Sequence, residues 1–210
     1  MVVSIERDGA HEARRALERC IGGGGVALFP ADTVYGLACD PSSARAIARI
    51  HELKGRDERK PAAVMFFAPL AMREVLSTLR SRTREAVGAL LPGPATVVVR
   101  NPEHRYRLAC REDPERLGLR LIEGPLAGAG CAAFQTSANR SGAPPPSRFA
   151  GVDPAILAGV DLAIDAAELG GEPSTVVDLT ALDEDGTWRI LREGAMPAGE
   201  VSRRLGELGR

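Results

Sequence analysis

The sequence predicts one mixed α/β domain, and three observations carry that reading. Short β-type runs alternate with amphipathic helical stretches along the whole chain. No internal repeat and no shift of composition divides the 210 residues, a length that suits one large domain over 1–210. A hydrophobic fraction of 44% with 4% aromatic residues gives a core built from Ala, Val, Leu and Ile.

The elements follow in order. Val2 to Ile5 is a short β-type run, and Asp8 reads as the N-cap of a helix from Ala10 to about Cys20, ended by Gly22 to Gly25. Val26 to Phe29 suits a buried strand, and Pro30 to Gly36 reads as a turn with Gly36 at positive φ. Ser42 or Ser43 caps a helix whose apolar positions are Ala46, Ile47, Ile50 and Leu53. A Lys/Arg loop leads to a strand from Ala62 to Phe67. Helical stretches cover about Ala71 to Leu79 and Arg82 to Leu90, closed by Pro92-Gly93-Pro94. Thr96 to Arg100, Leu117 to Leu121 and Ala132 to Thr136 read as strands, with a helical segment around Leu126 to Gly130. A Gly/Pro/Ser-rich loop spans Ser137 to Ser147. Leu162 to Ile164, Thr175 to Leu179 and Trp188 to Leu191 supply late strands before a helix from about Ala198.

Composition excludes several classes. A formal net charge of −1 does not suit a globally basic nucleic-acid coat, so any anion site is a local concentration of charge. No apolar run is long enough for a membrane span, and charge arrives too early after Met1 for a secretory signal. Cys20, Cys39, Cys110 and Cys131 form no CxxC pair and read as small apolar residues of a cytoplasmic protein. His11, His51 and His104 lack metal-ligand spacing and read as solvated surface residues. Gly22 to Gly25 precede a strand and lack GK[ST], which excludes a phosphate loop, and Ser137 lies in no GxSxG elbow.

The chain's two lysines, Lys54 and Lys60, lie in one loop, Lys54-Gly55-Arg56-Asp57-Glu58-Arg59-Lys60-Pro61, while every other basic side chain is arginine. Compact ammonium charges beside Arg56 suit an anionic ligand. Two further polar segments follow apolar runs: Pro30-Ala31-Asp32-Thr33-Val34-Tyr35-Gly36 and Gln135-Thr136-Ser137-Ala138-Asn139. Ligands of open α/β sheets gather beyond strand ends, so these segments are expected to converge. Arg120 interrupts the apolar pattern Gly118-Leu119-Arg120-Leu121 and needs an anionic partner. Ser174 and Arg192 mark the margins of late strands.

Taken in order, these segments resemble the YrdC-like family of L-threonylcarbamoyladenylate synthases. The carriers are Pro30 to Leu37, Lys54 to Pro61, Leu91-Pro92-Gly93-Pro94-Ala95-Thr96, Leu117 to Arg120, Ser137-Ala138-Asn139-Arg140-Ser141-Gly142, Ser174-Thr175-Val176 and Leu191 to Gly194. The resemblance implies a twisted mixed sheet flanked by helices, with a large concave, positively lined cavity. It implies that ATP, L-threonine and bicarbonate or CO2 form threonylcarbamoyl-AMP and pyrophosphate, for a partner complex that modifies tRNA.

Carried over by position, Lys54, Arg56 and Lys60 are the catalytic cations. Arg56, Lys60, Ser137, Asn139 and Arg192 would bind ATP, and Thr33, Arg120 and Ser174 would hold threonine. Mg2+ would accompany ATP, with no metal bound by the protein itself. The chain departs from the family at Ala31, Met65, Glu123 and Glu193. These departures leave a divergent paralogue with another acyl-adenylate substrate as an alternative. A carbamoyl-phosphate-using relative, otherwise found in longer chains with zinc-finger parts, and a non-catalytic module with weak RNA binding are the others.

Overall fold

In the computed structural model, residues 1–55, 57 and 59–207 are described. Ten strands form one mixed sheet in the order β1-β8-β2-β3-β7-β4-β6-β5-β9-β10. They are β1 (Val2–Ser4), β2 (Ala27–Ala31), β3 (Val34–Cys39), β4 (Ala63–Phe66), β5 (Ala95–Arg100), β6 (Arg116–Leu121), β7 (Ala132–Ser137), β8 (Leu162–Asp165), β9 (Thr175–Asp178) and β10 (Arg189–Arg192). The helices are α1 (Ile5–Gly22), α2 (Ala44–Lys54), α3 (Arg73–Thr78), α4 (Ser81–Leu90), α5 (Arg107–Cys110), α6 (Pro154–Gly159) and α7 (Ala198–Gly206).

Strand alternation sorts the core into two layers. On one face, Leu28, Leu37, Val64, Val97 and Leu119 meet the apolar stripes of α2, α4 and α7, including Ile47, Ile50, Val87, Leu90, Val201 and Leu205. On the other face, Ala13, Ala16, Leu17 and Ile21 of α1 cover Ala27, Phe29, Ala31 and Ala38. Helix α1 packs over β1, β8, β2 and β3. The same face over β4, β6, β5 and β9 carries the cavity, so the site lies on the stretch of sheet beside α1.

Several expectations need correction. Helix α1 begins at Ile5 with Ser4 as its cap, the Arg7 amide donating to Ser4 Oγ at 3.4 Å, and the chain kinks at Gly9 with φ 84°. Asp8 instead accepts from the Ser4 amide at 2.8 Å, since an acidic side chain one turn into a helix can reach back to its start. Pro30 to Gly36 is not one turn: β2 and β3 form a hairpin that reverses at Asp32 and Thr33, with Asp32 at φ 65°. Gly36 lies inside β3, where a Cβ would stand 2.9 Å from Gln135 Nε2 and 3.1 Å from the Phe29 ring. Close approach, not a left-handed turn, requires glycine there.

The segment 126–130 is a turn rather than a helix, with Gly124 and Gly128 at positive φ interrupting the helical pattern. A single 3-10 turn (Pro69–Met72) precedes α3. Helices α5 and α6 escaped the sequence pattern because they span 4 and 6 residues. His51 is buried, 2% exposed, and meets the Phe134 ring edge-on at 5.9 Å. It falls one turn after Ile47 on the apolar stripe of α2, which overrides its polarity. No helix among the described residues is long and apolar enough to cross a membrane.

Candidate functional site

The cavity, of about 510 Å³, is lined by side chains that period-2 alternation turns to one face of the sheet. From β6 come Arg116, Gly118 and Arg120, while Leu117, Leu119 and Leu121 enter the core behind. Strand β5 supplies Thr96 and Val98, and β7 supplies Gln135 and Ser137. Among the described residues its arginines, Arg116, Arg120 and Arg192, outnumber its one carboxylate, Asp113.

Arg120 is the deepest cation, 3% exposed. Its Nη2 donates to Ala31 O at 3.1 Å and lies 3.4 Å from Asp32 Oδ2, while Nη1 is 3.5 Å from Gln135 Oε1. Its Nε, and the hydroxyl of buried Thr33, have no hydrogen-bond partner among the described residues. Burial lowers the Arg120 pKa, with Asp32 opposing that effect and Arg192 adding to it. Burial pushes the Asp32 carboxyl up to about 6, against the pull of Arg120 and a hydrogen bond from the Glu123 amide at 3.1 Å.

Ser174, the residue before β9, and Thr96 of β5 share a hydrogen bond at 2.9 Å. Arg192 Nη2 donates to Ser174 O at 2.7 Å and lies 3.4 Å from Ser174 Oγ. Gly194 permits that arrangement, because a Cβ there would collide with Pro173 O and stand 2.9 Å from the Ser174 carbonyl carbon.

Lys54 is buried at the end of α2, 3% exposed, and does not belong to the cavity lining. Its ammonium donates to Ser137 O, to Asn139 O at 2.8 Å and to Asn139 Oδ1 at 3.4 Å. Ser137 Oγ in turn donates to Asn139 Oδ1 at 2.5 Å. Lys54 therefore fixes the turn that presents Ser137 and Asn139 to the cavity. Lys60 is exposed next to Pro61, which lines the mouth, and Arg56 lies outside the described residues.

Thr33, Arg120, Ser137, Asn139, Ser174 and Arg192 thus share one hollow. Arg116, Asp113 and Cys110 also line it and were not singled out from sequence. Arg116 carried a usable signal, since it stands four residues before Arg120 and shares its strand face. Tyr35 serves the fold: its hydroxyl donates to Ala166 O at 3.0 Å and accepts from the Ala166 amide at 2.9 Å. Ala31, Met65 and Glu123 lie outside the lining: Ala31 acts through its carbonyl, Met65 packs under α1, and Glu123 acts through its amide. Among the described residues no group of three or more His, Cys, Asp or Glu side chains is placed to hold a metal ion.

The family described as "Sua5_yciO_yrdC: Telomere recombination" matches residues 19–194. A protein of Xanthomonas euvesicatoria named threonylcarbamoyl-AMP synthase is 32% identical over 177 residues, covering 81% of this chain and 91% of its own. P. abyssi Sua5, solved in complex with L-threonine, superimposes with a TM-score of 0.83 and 27% identity across 99% of this chain. This chain spans 61% of that longer one. E. coli YciO shares the fold, with a TM-score of 0.73 and 24% identity over 93% of this chain and 95% of its own. A cavity assembled from the same ordered segments and a match over most of the sequence lead to one conclusion: the chain belongs to the Sua5/YciO/YrdC family.

Proposed function

We propose that this protein is an enzyme that joins L-threonine, bicarbonate or CO2, and ATP into threonylcarbamoyl-AMP, releasing pyrophosphate. One observation carries the reading: Arg120 Nε and Thr33 Oγ1 are buried, lack partners among the described residues, and belong to side chains lining a single polar cavity. Leaving such groups unsatisfied costs about 1–3 kcal/mol each, which a ligand bearing a carboxylate and a hydroxyl would recover. The relative named threonylcarbamoyl-AMP synthase and the threonine complex of P. abyssi Sua5 support the choice of ligand.

In this mechanism Arg120 holds the threonine carboxylate, with Thr33 and Ser174 beside the amino acid. The threonine amine, once deprotonated, captures CO2 as a carbamate. A carbamate oxygen then bonds to the α-phosphorus of ATP as the bond to the β-phosphate oxygen breaks, and pyrophosphate leaves with that electron pair. Two anions must approach one another, so neutralisation and positioning are the protein's contribution. Lys60 and Arg192, with Arg56 by the family resemblance, supply charge, while Ser137 and Asn139, fixed by Lys54, bracket the nucleotide. Mg2+ would enter with ATP as part of the substrate. No side-chain nucleophile is required: the one cavity thiol, Cys110, is pushed up to about 11 by burial and stays protonated at neutral pH.

The product would pass to a partner complex that modifies tRNA in the cytoplasm. The departures from the family pattern lie outside the cavity lining, which favours threonine chemistry over a changed acyl substrate. Pyrophosphate release is expected only when ATP, threonine and bicarbonate are all present, and Lys60→Ala should abolish it. Absence of release from the unmodified protein with all three substrates would overturn the proposal.

A further inference from the structure

Gln135 is a buried amide with half of its hydrogen-bonding capacity unused. It lines the cavity from β7 and is 6% exposed. Its Oε1 lies 3.5 Å from Arg120 Nη1. A guanidinium only donates, so Arg120 fixes which end of the amide is oxygen and turns Nε2 away from itself. That Nε2 donates to no described residue. Both cross-strand neighbours, Ala38 and Ala63, offer a methyl group and no side-chain acceptor. Gly36 makes room for the amide, since a Cβ there would stand 2.9 Å from Nε2. A buried donor without an acceptor is costly, which points to an acceptor brought by a ligand.

The place of Gln135 narrows the identity of that acceptor. On one side stands Arg120, the residue assigned to the amino-acid carboxylate. On the other, two residues along the same strand face, stands Ser137, whose turn is assigned to the nucleotide. The group that joins the two substrates passes between them, and in the synthase reaction that group is the carbamate. Its precursor is the wrong partner for this position: an ammonium only donates, and it would face the N–H groups of Gln135 beside the Arg120 cation. The carbamate instead presents two oxygens that only accept.

We propose that Gln135 donates from Nε2 to a carbamate oxygen and favours the carbamate over the ammonium form of threonine, an inference resting on the synthase reading of the same cavity. The discrimination works by repulsion of one form as well as attraction of the other. In the step it assists, the neutral amine's lone pair bonds to the carbon of CO2. A C=O π pair moves onto oxygen, and the proton left on nitrogen passes to water. Gln135 itself gains and loses no proton. Being neutral, it orients the carbamate without quenching the oxygen that attacks phosphorus.

The test uses the full chain carrying Gln135→Met, which keeps the side-chain length and loses the donor, or Gln135→Glu, which puts acceptors in the same place. With ATP and threonine saturating, kcat/KM for bicarbonate should fall by about tenfold or more in both. Calorimetric threonine affinity without bicarbonate should be unchanged in Gln135→Met, and matched thermal melts show that the loss is not one of folding. A readout apart from turnover comes from 13C NMR with threonine and 13C-bicarbonate in the absence of ATP. The unmodified protein should show a bound carbamate carbon, and Gln135→Met should lose it. An unchanged bicarbonate requirement in Gln135→Met, or a bound carbamate kept by it, would overturn the assignment. So would a loss of threonine affinity as large as the loss for bicarbonate, which would place Gln135 on the carboxylate instead. If the carbamate signal depends on Gln135 while ATP yields no pyrophosphate, the carbamate contact stands and the synthase reading falls.

Discussion

Arg120 and Asp32 face each other at 3.4 Å beneath the cavity, their side chains 4% and 12% exposed. Asp32 reaches that place because the β2–β3 reversal puts it at φ 65°, and the Glu123 amide holds its second oxygen. The carboxylate aims the arginine fork while leaving Nε unspent. A buried pair of this kind is costly to break and of small net worth to keep, so its value lies in orientation.

That relationship has a pH signature. Burial pushes Asp32 up to about 6 from an ordinary 3.8, and the ionised form is the one that orients Arg120. The kcat/KM for threonine should therefore fall as pH drops below about 6, and Asp32→Asn should lose that acid limb. The stability sign is opposite. A carboxyl whose folded pKa is raised binds its proton more readily when folded, so its contribution improves as pH falls from about 6 towards 3.8. Parallel pH profiles of activity and denaturation midpoint check both directions.

Arg120→Ala should raise the threonine KM by about a hundredfold or more, as expected for removing one partner of a buried charge pair, with a much smaller change for ATP. Steady-state kinetics varying each substrate in turn reads the split. Equal effects on both substrates would place Arg120 elsewhere in the mechanism.

Lys54→Met keeps the length of the side chain but removes the donors to Ser137 O and Asn139 O. Stability should drop by roughly 1–3 kcal/mol in urea, with the larger functional loss in ATP affinity as the 137–139 turn relaxes. A loss confined to the threonine KM would contradict this role.

Gly194→Ala should be among the most damaging single-methyl changes in the chain, because its Cβ would drive Pro173 and Ser174 away from Arg192. Gly206→Ala, with open space around its Cβ, should be neutral. Thermal melts of the two variants, with and without threonine, provide the comparison.

Much of this architecture was legible in the chain because local chemistry and tertiary demand agree. Ser43 caps α2 as its hydroxyl and spacing require, accepting from the Ala46 amide at 3.2 Å. Arg120 stood out as a charge in an apolar strand and proved to be the buried cation of the cavity. What escaped the sequence depends on contacts that spacing cannot encode. Asp32 took the left-handed turn position that glycine usually fills, so a hairpin looked like a loop. By sequence Lys54 stands with the catalytic cations of the Lys/Arg loop, yet its ammonium is spent on the Ser137 and Asn139 carbonyls and lies outside the cavity lining. His51 was drawn into the core by its helical neighbours.

The central claim concerns what the cavity joins together, and mass spectrometry of a single incubation tests it most directly. The protein, Mg-ATP and 13C-bicarbonate would be combined with each amino acid in turn. The account predicts one labelled acyl-adenylate, the threonylcarbamoyl species, with the heavy carbon retained and none formed with alanine or valine. An unlabelled adenylate, or labelled product formed equally well from other amino acids, would contradict it.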